Sequence, residues 1–223
     1  GSTTSSLNDL SDAKTTDSGA ADESLFIGTD SGGSITSGNS NIAFGYKAME
    51  DTTEGDNSVA IGTEAAKSNT NSNDYVAIGY EAGALGTNLS RNVYVGSQAG
   101  KDNSNDENVF LGYRAGYTAT GVTESVFIGS ECGAGQGSTK PTGDRNVGIG
   151  RLALNSLQDG RDNVAIGNQS GDTVTTGLAN VFVGAQAGST NSSSVSYSVF
   201  VGYQAGGGLG SKNGDENVAI GYR

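Results

Sequence analysis

Apolar residues along this chain come in triplets closed by a glycine. The closing glycines are Gly28, Gly45, Gly62, Gly79, Gly96, Gly112, Gly129, Gly150, Gly167, Gly184, Gly202 and Gly221, at intervals of 17, 17, 17, 17, 16, 17, 21, 17, 17, 18 and 19 residues. So short a period predicts a solenoid, whose units are each too small to bury a core and do so by stacking. Three residues before the glycine stand Leu25, Ile42 and then valine ten times, from Val59 to Val218. One residue before it stand Ile, Val or Leu eleven times and Phe44 once. Positions two apart share one face of a strand, and β-branched residues favour strand over helix. The reading is all-β: a parallel β-solenoid of about twelve rungs of 16–21 residues, ~4.8 Å apart and so roughly 50 Å long.

The two flanking columns are expected to fill the roll as aliphatic ladders. Their members include Val59, Ile61, Val76, Ile78, Val93, Val95, Val109, Leu111, Val126, Ile128, Val164, Ile166, Val181 and Val183. The middle residue of each triplet points the other way and is also apolar: alanine five times, Gly148, and Phe26, Tyr94, Phe110, Phe127, Phe182 and Phe200. Left in water, six aromatics in line form a large apolar patch. They are therefore assigned to a subunit interface, the alternative being a thicker monomer in which other strands cover them. On this reading Phe127→Asp weakens association before it disturbs rung stacking.

The remaining columns read as turns. Three residues after the glycine the side chain is always small, and one further on glycine occurs eight times, which suits a tight corner. Four residues before the glycine stands Asn seven times and Ser four times. Such side chains bridge neighbouring rungs or cap turns. Length varies in the polar segments between, which read as outer loops.

Composition removes several function classes. Apolar residues are 34% and glycine is 37 of 223, values that suit a repeat better than an ordinary core. Twelve Lys+Arg against 24 Asp+Glu give a net charge of −12, which disfavours nucleic acid and anionic membranes as partners. No apolar run approaches the ~20 residues of a membrane span. Histidine is absent and Cys132 is the one cysteine, so the commonest general base, an intrachain disulfide and a cysteine metal cluster are all excluded. Cys132 reads as a stand-in for alanine. The segment from Gly133 to Lys140 looks like a phosphate loop, but its lysine does not follow the last glycine directly, and Gly206 to Lys212 fails in the same way.

Acidic loops recur at Asp51, Glu54 and Asp56, at Asp102, Asp106 and Glu107, at Asp159 and Asp162, and at Asp215 and Glu216. Their alternatives to a solvated face are structural Ca²⁺ and, for a carboxylate pair, glycan hydrolysis. No cofactor is expected, and no residue is assigned to catalysis. Tyr46, Tyr80, Tyr113, Tyr203 and Tyr222 each follow a repeat glycine and suit an interface or a stack on sugar rings.

The residues Asn57-Ser58-Val59-Ala60-Ile61-Gly62, Asn163-Val164-Ala165-Ile166-Gly167 and Asn217-Val218-Ala219-Ile220-Gly221 resemble the head repeat of YadA-type trimeric autotransporter adhesins. Val201-Gly202-Tyr203-Gln204-Ala205-Gly206 looks like the repeats of phage tail-fibre and tailspike-type proteins, and Leu7 to Thr15 resembles the lead-in of such fibres. The resemblance implies a left-handed β-roll, a homotrimer, an extracellular place on a virion or bacterial surface, and attachment to a host glycan or protein. The period departs from autotransporter heads, which repeat at about 14 residues. Residues 1–23 are expected to be a polar lead-in, with a possible tag remnant at 1–2, and 24–223 the solenoid, cut within a repeat at its C-terminus. The competing functions are a phage-type trimeric polysaccharide depolymerase and a self-assembling extracellular filament.

Overall fold

A computed structural model describes residues 13–16, 23–87, 90–135, 140–190, 193–207 and 215–222. It is a parallel β-solenoid. One sheet of 13 strands runs in strict chain order from β1 (Ala13–Thr16) to β13 (Val218–Ile220). Between them lie β2 (Ser24–Ile27), β3 (Ile42–Phe44), β4 (Val59–Ile61), β5 (Val76–Ile78), β6 (Val93–Val95), β7 (Val109–Leu111), β8 (Val126–Ile128), β9 (Val147–Ile149), β10 (Val164–Ile166), β11 (Val181–Val183) and β12 (Val199–Val201). Strands β2 to β13 pair in parallel, with every triplet in register: Val109 on Val126, Phe110 on Phe127, Leu111 on Ile128. No helix occurs among the described residues.

Within the expected lead-in, Ala13–Thr16 pairs antiparallel to β2. That pairing covers the free backbone edge of the first rung, the part of a sheet most open to unwanted strand addition.

The structure reverses the expected inside and outside of the strand. The middle column is the core. Phe26, Tyr94, Phe110, Phe127, Phe182 and Phe200 are at most 1% exposed in the single chain, so they are not a subunit interface. Tyr94, Phe110 and Phe127 stack at 5.3 and 5.1 Å between ring centres, and Phe182 meets Phe200 at 5.5 Å. The flanking ladders lie outside. Val59, Val76, Ile78, Val93, Val109, Leu111, Val126, Ile128, Val164, Val181 and Val183 are half-buried, while Ile61, Val95 and Ile166 are exposed. They do not fill the roll.

The reason is the width of the roll. Its interior accepts one residue per strand, the corner residues at the third and fourth positions after the glycine, and a few residues beyond the corner such as Val122, Leu157 and Val174. A ring at the middle position takes the space of the fourth-position side chain. A methyl group on Gly116 would lie 2.5 Å from the Phe110 ring, and the same clash recurs at Gly32, Gly100, Gly133, Gly188 and Gly206 against their own aromatics. At two rungs where the middle residue is small, the corner is filled instead: Ala43 goes with Met49 and Gly148 with Leu154, both buried; Ala77 and Ala165 keep glycine there, at Gly83 and Gly171. Left-handed backbone alone does not demand glycine here, since Met49 and Leu154 sit at φ 55° and 51°. In the six aromatic rungs the ring demands it. Cys132 joins this packing, because a methyl on Gly148 would come within 2.7 Å of its Sγ.

The repeat glycines have a separate cause. Each has φ between 124° and 137°, and on all but Gly221 a side chain would strike the glycine of the next rung, as on Gly62, 2.5 Å from the Gly79 carbonyl oxygen.

Candidate functional site

The polar columns explain most of the chemistry that looked available in the sequence. In the Asn/Ser column, interrupted at Tyr75, a rung's backbone N–H donates to the side chain of the rung before. Asn41 donates to Ser24 Oγ at 3.0 Å, Ser58 to Asn41 Oδ1 at 3.0 Å, Asn163 to Asn146 Oδ1 at 3.1 Å and Ser198 to Asn180 Oδ1 at 3.0 Å. The Asn amides then donate to loop carbonyls, as Asn163 Nδ2 does to Gly177 O at 2.8 Å. These side chains are buried and bonded, so they form a structural ladder rather than a ligand array.

A second ladder runs six residues before the glycine, in the opposite sense. Asn39 N–H donates to Asp56 Oδ1 at 2.7 Å, Asp56 to Asn73 Oδ1 at 2.8 Å, and Ser90 to Asp106 Oδ1 at 2.9 Å. Thr123 donates to Asp144 and Ser196 to Asp215, both at 2.9 Å. Sequence reasoning grouped Asp56, Asp106 and Asp215 with loop acids available for Ca²⁺ or acid–base work. The structure gives each a neighbouring backbone N–H. The signal was present as a column of Asp, Asn, Ser and Thr at one offset from the glycine.

Other acids are paired. Asp162 meets Arg145 at 2.7 Å, and the guanidinium beside it holds its carboxyl below the ordinary range. Glu107 meets Arg91 at 2.9 Å, and Asp159 Oδ1 accepts from Thr142 Oγ1 at 2.6 Å. Among the described residues no three acidic, histidine or cysteine side chains group around one point. The phosphate-loop look-alikes fall largely on residues 136–139 and 208–212, outside the described residues.

Burial pushes the hydroxyls of Tyr75 and Tyr94 up, and it also withdraws a thiol and a carboxyl from water. Cys132 is fully buried and desolvation pushes its thiol up to about 12. The thiolate is the reactive form, so this thiol is inert. Native protein should leave an aromatic disulfide reagent unreacted for hours at pH 8 and consume one equivalent after unfolding. Rapid reaction in the native state would contradict its burial.

Asp172 is half-buried, its Oδ1 has no hydrogen-bond partner, and desolvation raises its carboxyl to about 6. The raised folded value means the folded chain holds this proton more tightly than the unfolded chain, whose carboxyl titrates near ~3.9. Stability therefore falls as pH rises from about 4 to about 6 and stays lower above it. Asp172→Asn should raise the thermal midpoint at pH 7.5 and flatten its change across that window. An unchanged midpoint at pH 7.5 would contradict this assignment.

What remains exposed is the outer face of the sheet. The two aliphatic ladders run its whole length, with Ile42, Ile61, Val95 and Ile166 between 36% and 38% exposed. Two residues beyond the second ladder stand Tyr46, Tyr80, Tyr113 and Tyr203, each about half exposed. The face measures roughly 50 Å by 7 Å from the rung and residue spacings. It is a contiguous apolar strip of several hundred square ångströms, at the upper end of what a monomeric protein leaves in water.

The chain matches none of the known protein families, curated proteins or solved structures with which it was compared.

Proposed function

We propose that this chain is the structural rod of a homotrimeric extracellular fibre that attaches to a host surface. One observation carries the proposal. The core is completed within a single chain by the Phe/Ala column, so the aliphatic ladders contribute nothing to filling it, yet twelve consecutive rungs keep Val, Ile or Leu there almost without exception. A face needed only for solvent contact would be polar and alternate with the buried middle column. An apolar strip on every rung fits burial against the same strip of other copies. Closed symmetry about the rod axis places identical ladders together. The number three, the fibre and the extracellular setting rest on the resemblance of the repeats.

The mechanism is mechanical. Stacked rungs give length, two polar ladders bond rung to rung, and the strip joins the copies. The outer turns face away, where several copies of a weak contact add avidity without a deep pocket. The reading is non-enzymatic. Bonding of Asp56, Asp106, Asp144 and Asp215 to neighbouring backbone supports a structural duty for these carboxylates.

Two measurements test it. Native mass of the intact chain should be three times 22.3 kDa. Incubation with host envelope polysaccharide should leave the number of reducing ends unchanged. A stable monomer overturns the fibre reading, and new reducing ends that vanish on replacing one loop carboxylate replace it with a depolymerase.

A further inference from the structure

The outer turn carries two columns, the second and fifth residues after each repeat glycine. In mid-rod they read Arg114, Glu131 and Leu152 in one, and Tyr117, Ala134 and Asn155 in the other. Ala134 is short between the larger Tyr117 and Asn155. A depression of about 420 Å³ opens over it, lined by these residues and Gly135. That is a size at which small-molecule sites begin, given a few convergent polar groups.

Arg114 is a cation fixed in place with no acidic partner. Its Nε donates to Gln98 Oε1 at 2.8 Å. Its guanidinium carbon lies 5.2 Å from the Tyr113 ring centre and 4.8 Å from that of Tyr117. Its terminal amino groups make no hydrogen bond or ion pair among the described residues. Lys47, Lys67, Arg91, Lys101 and Arg145, by contrast, each meet a carboxylate at 3.7 Å or less. A guanidinium held this way is prepared to receive a planar anion through two parallel N–H bonds.

The other polar groups have the complementary character. Asn155 is 4% exposed, and its Nδ2 is committed to the Glu131 backbone carbonyl at 2.8 Å. Its Oδ1 is left as an acceptor. The Glu131 carboxylate is also acceptor only when ionised. The depression thus offers donors from Arg114, acceptors from Glu131 and Asn155, and apolar surface from Tyr117 and Leu152. A simple anion satisfies only the first, and Glu131 repels it. A neutral sugar satisfies the acceptors and leaves the guanidinium unmatched.

We propose that this depression binds the uronic-acid type of sugar unit in an acidic saccharide, its carboxylate on Arg114 and its hydroxyls donating to Glu131 and Asn155. That the saccharide belongs to a host surface rests on the fibre reading; the match of groups in the pocket does not.

Titration of the intact protein by ligand-observed NMR with glucuronic acid, glucose and inorganic phosphate tests the assignment. Glucuronic acid should bind saturably, and glucose and phosphate at least tenfold more weakly. Arg114→Gln should weaken glucuronic acid at least tenfold. Ala134→Leu, which fills the depression and leaves the guanidinium untouched, should do the same. Lys47→Gln, the corresponding position four rungs away, should change nothing. Each variant is checked by circular dichroism for an intact sheet. Absence of saturable binding, equal binding of glucose or phosphate, or indifference to Arg114→Gln would overturn the proposal. A trimer whose attachment to cells survives Arg114→Gln removes the pocket and keeps the fibre. Arg114-dependent uronate binding by a monomer keeps the pocket and removes the fibre.

Discussion

Phe110→Ala should lower stability sharply, and adding Gly116→Met to it should restore much of the loss. The first change empties a fully buried ring position, worth about 3–5 kcal/mol in a core that relaxes little. Gly116→Met alone should also destabilise, by about 1–3 kcal/mol or more, because the new side chain meets the Phe110 ring. Together the two recreate the Ala43 and Met49 arrangement already present elsewhere in the rod, where both residues are fully buried. The double variant should therefore be more stable than the sum of the single losses by about 2 kcal/mol, the coupling expected of residues sharing one space. Thermal midpoints at one fixed protein concentration measure it. Additive losses would mean that ring and corner do not compete for the same volume.

The second large effect concerns the strip. Val95→Asp should separate the copies and leave each chain's sheet intact. Val95 is 36% exposed in the single chain, so an aspartate there reaches water once the copies part. Within the proposed assembly its carboxylate would be desolvated without a partner, once per copy, at several kcal/mol each. Phe127→Asp should do something different. That position is 0% exposed, so the charge enters the core itself and the solenoid unfolds. The two substitutions exchange the roles that the sequence pattern suggested for their columns.

That exchange shows what was legible in the sequence. The period, the strands and their register followed from glycine spacing and β-branched columns, because both are set by one residue type at one place in every rung. Which face of a three-residue strand points inward was not legible from alternation, since both faces are apolar. Only packing decides it. The deciding signal lay in a pair of columns. Phe26, Tyr94, Phe110, Phe127, Phe182 and Phe200 each precede a glycine by six residues, at Gly32, Gly100, Gly116, Gly133, Gly188 and Gly206. Met49 and Leu154 instead follow Ala43 and Gly148. Two positions that trade bulk within a rung share a closed space, which only the interior provides.

The outer chemistry was less legible for another reason. Asp56 and Asp106 differ from Asp51 and Asp102 in the sequence only by their place six residues before a repeat glycine. Only the stacking of rungs brings Asp56 under Asn39 and Asp106 under Ser90, giving each a backbone donor. Arg114 was recognisable as an outward residue, but not as an unpaired one. The depression beside it is formed with Ala134 and Asn155, which are distant in sequence and meet it only across rungs.

The most direct test of the account is sedimentation equilibrium on the native chain and on Val95→Asp, with circular dichroism on the same samples. The expected result is a three-chain mass for the native protein, a one-chain mass for the variant, and the same β-sheet spectrum for both. A native chain that stays a monomer at every concentration, or a Val95→Asp variant that keeps the three-chain mass, would contradict burial of the aliphatic strip between copies.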